Sequence, residues 1–339
     1  MPKHLPLSMF NNPQLMDSFG RRHNNLRVSV TDRCNLRCTY CMPEDVTFRD
    51  KSELLTFEEI TRIVTVAATL GVNKVRLTGG EPLMRRDLAT LARMVVAVPG
   101  ITDVGLTTNG VLLAEQAKEL YAAGLRRLNV SLDTLDPGRF RELARRDGLD
   151  RVLVGLEVAK SLGFQIKLNA VALRGFIEHD AGPLALYCRE NGFELRFIES
   201  MPIGAEPWDR AQAVLAHELL EILEREVAPL APATDYDPSA PAMEFAYADG
   251  RGRVGIIASV SRPFCKSCNR LRLTADGKLR NCLFSLDETD VKAFVRRPDP
   301  DNAAIAAALR SSVWSKWEGH EINTAKFVKP GRTMHAIGG

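Results

Sequence analysis

The sequence predicts an α/β fold on a parallel sheet, either open or curled toward a barrel, followed by a shorter segment of different texture. Two observations carry this expectation. Short β-like runs alternate with helical patterns between residues 26 and 200, and repeated βα units with short connections imply parallel strands wound in one hand. The length, 339 residues, suits one large domain and a smaller one, with the change of texture near residue 225.

The elements follow in order. "LRVSV" (26–30) reads as a strand leading into a loop that holds Cys34, Cys38 and Cys41. "FEEITRIVTVAATLG" (57–71) has helical apolar spacing and stops at glycine. Five further β runs are "KVRLTGG", "DVGLTTNG", "RRLNVSLD", "QIKLNAVAL" and "ELRFIES", with helical stretches such as "RDLATLARMVVAV" and "AEQAKELYAAG" between them. Ligands of parallel sheets sit at the carboxyl ends of the strands, which here read "TGGEP", "TTNG", "SLD" and "ESM". Each of these alone reads as an ordinary turn or helix cap. Beyond residue 225, "PLAPATDYDPSAPAMEF" reads as a linker or exposed loop. It precedes "RVGIIASVS", a second cysteine group and the tail "RTMHAIGG". The expected division is therefore 1–225 and 226–339.

Composition narrows the function. With 45% hydrophobic and 26% charged residues, and no apolar run near the roughly 20 residues of a membrane span, no membrane association is expected. "MPKHLPLSMFNNPQ" has no signal-like apolar stretch, so a cytoplasmic location is expected. A net charge of +3 is too small an excess to argue for nucleic-acid binding. Seven cysteines, an odd number, argue for metal binding or catalysis over a disulfide framework. Cys188 stands apart and reads as a buried apolar residue, and His23, in a polar stretch, as solvated surface.

Cys34, Cys38 and Cys41 have the spacing C-x₃-C-x₂-C. Three thiolates so placed can hold three irons of a cubane and leave the fourth open for chemistry. A zinc ion completed by a distant residue is the lesser alternative. Cys265, Cys268 and Cys282 form a second triplet, and no His or Cys follows Cys282 until His320, which disfavours a zinc ribbon. Several strands carry cations among apolar neighbours: Arg27, Lys74, Arg76, Lys167 and Arg196, with Arg270 and Arg272 after the second cysteine pair. A charge in a strand is costly unless paired. Any one could snorkel outward or meet an acid; five together point to an anion, and phosphate oxygens suit both arginine and lysine.

"CNLRCTYC" with "TGGEP" resembles the radical S-adenosylmethionine superfamily, and Tyr40 before the last cysteine matches its pattern. "KVRLTGGEPLMRRDL", "LRRLNVSLD", "FCKSCNRLRLTADGKLRNCLF" and the terminal "GG" resemble, further, the GTP 3′,8-cyclase family that begins molybdenum cofactor (molybdopterin) synthesis. The resemblance implies a partial (βα)6 TIM-type barrel with a C-terminal α+β segment carrying a second cluster. It implies two [4Fe–4S] clusters on the two cysteine triplets, and S-adenosylmethionine against Tyr40, Gly80, Glu81, Ser131 and Met201. GTP is expected at Arg27, Lys74, Arg76, Thr107, Lys167, Arg196, Arg270 and Arg272, with Arg270, Arg272, Gly338 and Gly339 serving the reaction. Implied partners are an electron donor such as flavodoxin or ferredoxin, the downstream cyclic pyranopterin monophosphate synthase and, where the chain pairs at all, a homodimer. A peptide-modifying radical enzyme and a metal-containing nucleic-acid regulator are the rivals.

Overall fold

Alternate residues of the strands face two different environments, and that alternation builds the molecule. The computed structural model describes residues 12–204, 208–235 and 239–338. In β5 (Gln165–Ala172), Ile166, Leu168, Ala170 and Ala172 are buried, while Lys167, Asn169 and Val171 between them are only partly covered. The apolar set packs outward on helices and the other set looks inward, as the twofold period of a strand requires. Six strands repeat this: β1 (Asn25–Ser29), β2 (Lys74–Thr78), β3 (Asp103–Thr108), β4 (Arg127–Ser131), β5 and β6 (Glu194–Glu199), joined in parallel and in chain order.

The helices between them are α1 (Phe57–Thr69), α2 (Leu88–Val96), α3 (Leu113–Ala122), α4 (Pro137–Ala144), α5 (Leu149–Ser161) and α6 (Ile177–Asn191). Local signals set their ends. Thr56 accepts from the Glu59 amide while the Glu59 side chain returns to the Thr56 amide, a reciprocal cap. Asp136 accepts from the Arg139 amide, just ahead of Pro137 at the first turn of α4. The apolar faces of these helices and the outer strand faces form one continuous core, including Leu26, Ile63, Leu77, Leu106, Leu128 and Phe197.

The partial six-strand barrel expected from the sequence is present, and the C-terminal part extends its sheet at both edges. After α7 (Ala216–Glu226), strands β7 (Leu230–Pro232), β8 (Met243–Tyr247) and β9 (Arg253–Ile257) extend the sheet beyond β6, with β9 parallel to β6 and the other two antiparallel. At the opposite edge β10 (Arg270–Leu273) runs parallel to β1 and is followed by antiparallel β11 (Lys278–Arg280) and β12 (Thr289–Asp290). The result is one twelve-stranded sheet. Three helices close the chain, α8 (Lys292–Val295), α9 (Asn302–Trp314) and α10 (Met334–Ile337).

Two expectations are corrected here. The Pro/Ala-rich stretch is not wholly loop: Leu230–Pro232 pairs with Phe245–Tyr247 as a sheet edge, where a proline is tolerated because its missing N–H can face away from the ladder. His23 is 2% exposed, with Nε2 3.0 Å from Asp17 Oδ2 and Nδ1 3.3 Å from the Arg270 carbonyl; the polar residues around it hid a buried pair. Cys188, as expected, lies in the core. No described helix is long and apolar enough to cross a membrane.

Candidate active site

The carboxyl ends of β1 to β6 surround one cavity, and the first cysteine loop covers it. Cys34, Cys38, Tyr40 and Cys41 line it together with Gly80, Thr107, Asn109, Ser131, Asp133, Asn169, Ser200 and Met201. The four strand-end motifs therefore meet at one place. The loop lies close because Gly80 has no side chain: a Cβ there would come within 2.4 Å of the Arg33 carbonyl and 2.6 Å of that of Asp32. Backbone bonds from Gly80 to the Thr31 carbonyl, 2.8 Å, and from Glu81 to that of Arg33, 2.7 Å, tie the two segments.

Glu81 itself is spent on structure. It is 1% exposed, and its carboxylate accepts from Thr108 Oγ1 at 2.7 Å and from the amides of Leu83 and Asn109 at 2.9 and 2.6 Å. Burial pushes it up to about 7 despite those donors. Glu81 is thus a clasp between the ends of β2 and β3, and Gly80 beside it supplies the cavity wall. Tyr40 donates to Asp133 Oδ2 at 2.6 Å while Asp133 Oδ1 accepts from the Val171 amide at 2.8 Å. Asp133 was not singled out from the sequence as a site residue, although it closes the quoted "SLD" motif. Asn109, last polar residue of "TTNG", was also missed; its Nδ2 lies 3.7 Å from Cys34 Sγ.

A second cavity opens from the first. Cys265, Cys268 and Cys282 line it with Arg270, Arg272, Lys316 and His320, and Arg27, Ile198, Met201, Ile257 and Met334 belong to both. The two triplets differ at one thiol, Cys268, while burial raises Cys265 as it raises the first three. Burial raises Cys34 to about 11 and Cys41 to about 12, and burial together with nearby Cys41 and Asp133 raises Cys38 well above its ordinary value. Burial also opposes ionisation of Cys268, yet Arg270 and Lys316 draw it down to about 5. Arg270 also stacks on the Phe264 ring, 4.6 Å from its centroid.

Between the triplets runs a ladder of like charges. Arg272, Arg27 and Arg76 stand opposite one another in register on β10, β1 and β2. Like charges directly opposite are destabilising. Burial lowers the pKa of Arg27, and Arg272, Arg270 and Arg76 lower it further. Arg76 is held by Asn129 Oδ1 at 2.9 Å and lies over Gly105, where a Cβ would come within 2.9 Å of Cζ. Lys167 and Arg196 differ from these: Lys167 meets Glu194 at 2.5 Å, and Arg196 meets Glu194 at 2.7 Å and Glu244 at 3.2 Å. Arg196 still lines the upper cavity, whereas Lys167 stays beside Glu194. Lys74 has a partner of its own at the amino end of β2, away from the strand-end motifs.

The tail closes the upper cavity. Met334 and His335 of α10 form part of its wall. Gly338 has φ +85°, and a Cβ there would sit 3.0 Å from Ser29 Cβ and 3.2 Å from Thr78 Cγ2, so only glycine fits easily. Its carbonyl accepts from Arg272 Nη1. Gly339 lies outside the described residues.

The donor sets suit iron–sulfur clusters. All seven cysteines are free, and each triplet offers thiols to a cavity without a fourth protein thiol. Among the described residues no three His, Cys, Asp or Glu side chains converge as a single-ion site; a cubane instead takes thiolates at separate corners. Two buried polar atoms in the walls have no partner, Asn169 Oδ1 above and His320 Nδ1 below, as expected where a ligand is to supply one.

Comparison with known proteins agrees with this arrangement. Residues 28–188 match the Radical SAM superfamily model and residues 193–322 the Molybdenum Cofactor Synthesis C model. The chain is 47% identical to GTP 3′,8-cyclase of Rhodopirellula baltica, covering 98% of this chain and 94% of that one. It is 46% identical to that of Streptomyces coelicolor, covering 96% of each. A structure of Streptococcus suis SuiB bound to S-adenosylmethionine superposes with TM-score 0.63 at 15% identity, over 96% of this chain and 79% of that one. At that identity it speaks for the fold alone.

Proposed function

The chain belongs to the GTP 3′,8-cyclase family of radical S-adenosylmethionine enzymes in molybdenum cofactor biosynthesis, and from that premise we propose how its own residues divide the work. Membership implies S-adenosylmethionine and a [4Fe–4S] cluster. Cys34, Cys38 and Cys41 hold that cluster, and Cys265, Cys268 and Cys282 hold a second. When bound, the first cluster and S-adenosylmethionine supply a carbon radical able to take hydrogen from a ribose C–H bond.

Gly80, Ser131, Met201 and the Tyr40–Asp133 pair cradle S-adenosylmethionine, with Glu81 fixing the cradle from behind. GTP spans the two cavities, and the observation that carries this is the Arg272–Arg27–Arg76 ladder. Three guanidinium groups in register, Arg272 buried and Arg27 and Arg76 partly so, repel one another unless an anion joins them, and a triphosphate supplies several charges in a line. Arg196 and the Thr107 hydroxyl meet GTP at the cavity wall, Lys167 and Lys74 add positive charge from farther off, and Arg270 and Arg272 place the guanine and ribose. Gly338 brings the tail against Arg272 so that the ribose is held for ring closure, and Gly339 is assigned to the same reaction by family membership. In this division residues 1–225 form the barrel with the first cluster, S-adenosylmethionine and part of the GTP site, and residues 226–339 the substrate-side segment with the second cluster and the Gly-Gly tail. The product is (8S)-3′,8-cyclo-7,8-dihydroguanosine 5′-triphosphate, made in the cytoplasm with electrons from a flavodoxin or ferredoxin and passed to cyclic pyranopterin monophosphate synthase. Neither nucleic acid nor membrane is a partner, and a homodimer is an allowed state.

The test is anaerobic turnover of the reconstituted protein with S-adenosylmethionine, reductant and GTP, followed by mass analysis of the nucleotide. A product of the same mass as GTP, separated from it by chromatography and carrying a new bond between ribose carbon 3′ and guanine carbon 8, is expected together with 5′-deoxyadenosine; unchanged GTP alongside modified peptide substrates would favour the rival enzyme class. Iron content gives a second check. About eight irons per chain are expected from two four-iron cubanes, and replacing Cys265, Cys268 and Cys282 together should leave about four.

Lys167→Ala should weaken GTP binding by roughly tenfold, about 1.4 kcal/mol. The effect falls at the low end for a charged contact because Glu194 already holds the ammonium. It should raise KM more than it lowers kcat, since the contact is equally strong before and during the reaction. Equal GTP affinity in the variant and the parent would remove Lys167 from the phosphate site.

A further inference from the structure

Lys316 follows α9 and is 5% exposed. Its Nζ lies 3.3 Å from Cys268 Sγ and 3.1 Å from the Arg270 carbonyl. A buried ammonium needs an anionic partner, yet the charged groups that act on it are the thiols of Cys268 and Cys282 and the guanidinium of Arg270. No carboxylate is among them. Its charge is therefore balanced only when those thiols are thiolates, which is their state as metal ligands. At the first triplet the donors that approach Cys34 are neutral, Asn109 Nδ2 and the Leu36 amide, and the nearby charges are mixed, the acids Glu81 and Asp133 with the guanidinium of Arg37.

We propose that Lys316 is a positioning residue for the second cluster, its ammonium holding the Cys268 thiolate and raising the reduction potential of the cluster above what the three thiolates alone would set. This rests on the reading that the second triplet binds a cluster. Reduction adds negative charge, and a fixed cation hydrogen-bonded to a ligating sulfur stabilises the reduced form; hydrogen bonds and net charge at the sulfurs are among the levers that set such potentials. The placement also separates the two clusters in potential, the one near acids being the stronger reductant. With that ordering, a reductant strong enough for the cluster that faces S-adenosylmethionine also reduces the one at the substrate end.

The test uses the full-length chain with Cys34, Cys38 and Cys41 replaced by Ala, so that only the second cluster reports. Lys316, Lys316→Met and Lys316→Arg forms are reconstituted, assayed for iron and titrated potentiometrically with EPR detection. Lys316→Met should bias the one-electron equilibrium toward the oxidised cluster by about tenfold, a midpoint about 59 mV more negative, while Lys316→Arg stays near the parent. Iron loss in the Met form that the Arg form avoids would equally support a charge role. An unchanged midpoint in the Met form, or the same shift or iron loss in both variants, overturns the proposal. Absence of iron in the form that keeps Lys316 instead defeats the two-cluster reading.

Discussion

Cys38→Ser should abolish reductive cleavage of S-adenosylmethionine, whereas Cys282→Ser should leave measurable cleavage and lose the cyclised nucleotide. The difference follows from where the two thiols sit. Cys38 lines the upper cavity with Tyr40, Gly80 and Ser131, and losing one of three ligands to a cluster that must also bind cofactor removes the electron source. Cys282 lines the other cavity with Arg270 and Arg272, so its loss disturbs the substrate end first. Quantifying 5′-deoxyadenosine and cyclised nucleotide in the same reaction separates the outcomes. If both variants lose cleavage to the same extent, the triplets are not divided in this way.

Arg272→Ala should reduce cyclised product by about two orders of magnitude, the scale of a misplacement of about 1 Å at a reacting centre. The residue is 4% exposed, stands opposite Arg27 at one end of the arginine ladder and donates to the Gly338 carbonyl. Its removal therefore costs both a substrate contact and the seat of the tail. Arg272→Lys should recover little, because a point charge cannot reproduce the planar fork. Deleting Gly338 and Gly339 should have a similar effect while leaving iron content and thermal unfolding unchanged. Combining the deletion with Arg272→Ala should add little further loss, because groups acting as one unit are non-additive. Fully additive losses would show that the Arg272–Gly338 bond has no part in the reaction.

Much of this site was legible because its parts are local. Cysteine spacing, strand-end glycines and the βα rhythm are written within a few residues each, and they met in one cavity. What escaped the sequence depends on register between distant strands. Lys167 and Arg196 looked like free strand cations because their acids, Glu194 and Glu244, stand on other strands or two places along the same one. The arginine ladder is the converse case: Arg27 and Arg272 become neighbours only through the β1–β10 pairing. Lys316 carries no motif at all, and nothing short of the packing of the segment after α9 against the second triplet marks it. His23 misled because exposure was inferred from its neighbours, while its partner Asp17 lies six residues earlier on a hairpin-like hook joined by the Met16–Arg22 bridge.

The sheet also sets a timetable for synthesis. β1 is among the first elements to leave the ribosome, yet its outer neighbour β10 arrives late, and Asn24 and Asn269, joined across that seam, are 245 residues apart. At translation rates of roughly 5–20 residues per second, the β1 edge waits on the order of 10 to 50 seconds with its hydrogen-bonding groups unpaired. Such an edge is open to pairing with another nascent chain. The seam that brings the second triplet against Arg27 also cannot form until nearly the whole chain is made, so the first cysteine loop gains its barrel neighbours well before the second triplet gains Arg27. Iron starvation during growth should accordingly yield chains loaded at the amino-terminal site in preference to the carboxyl-terminal one.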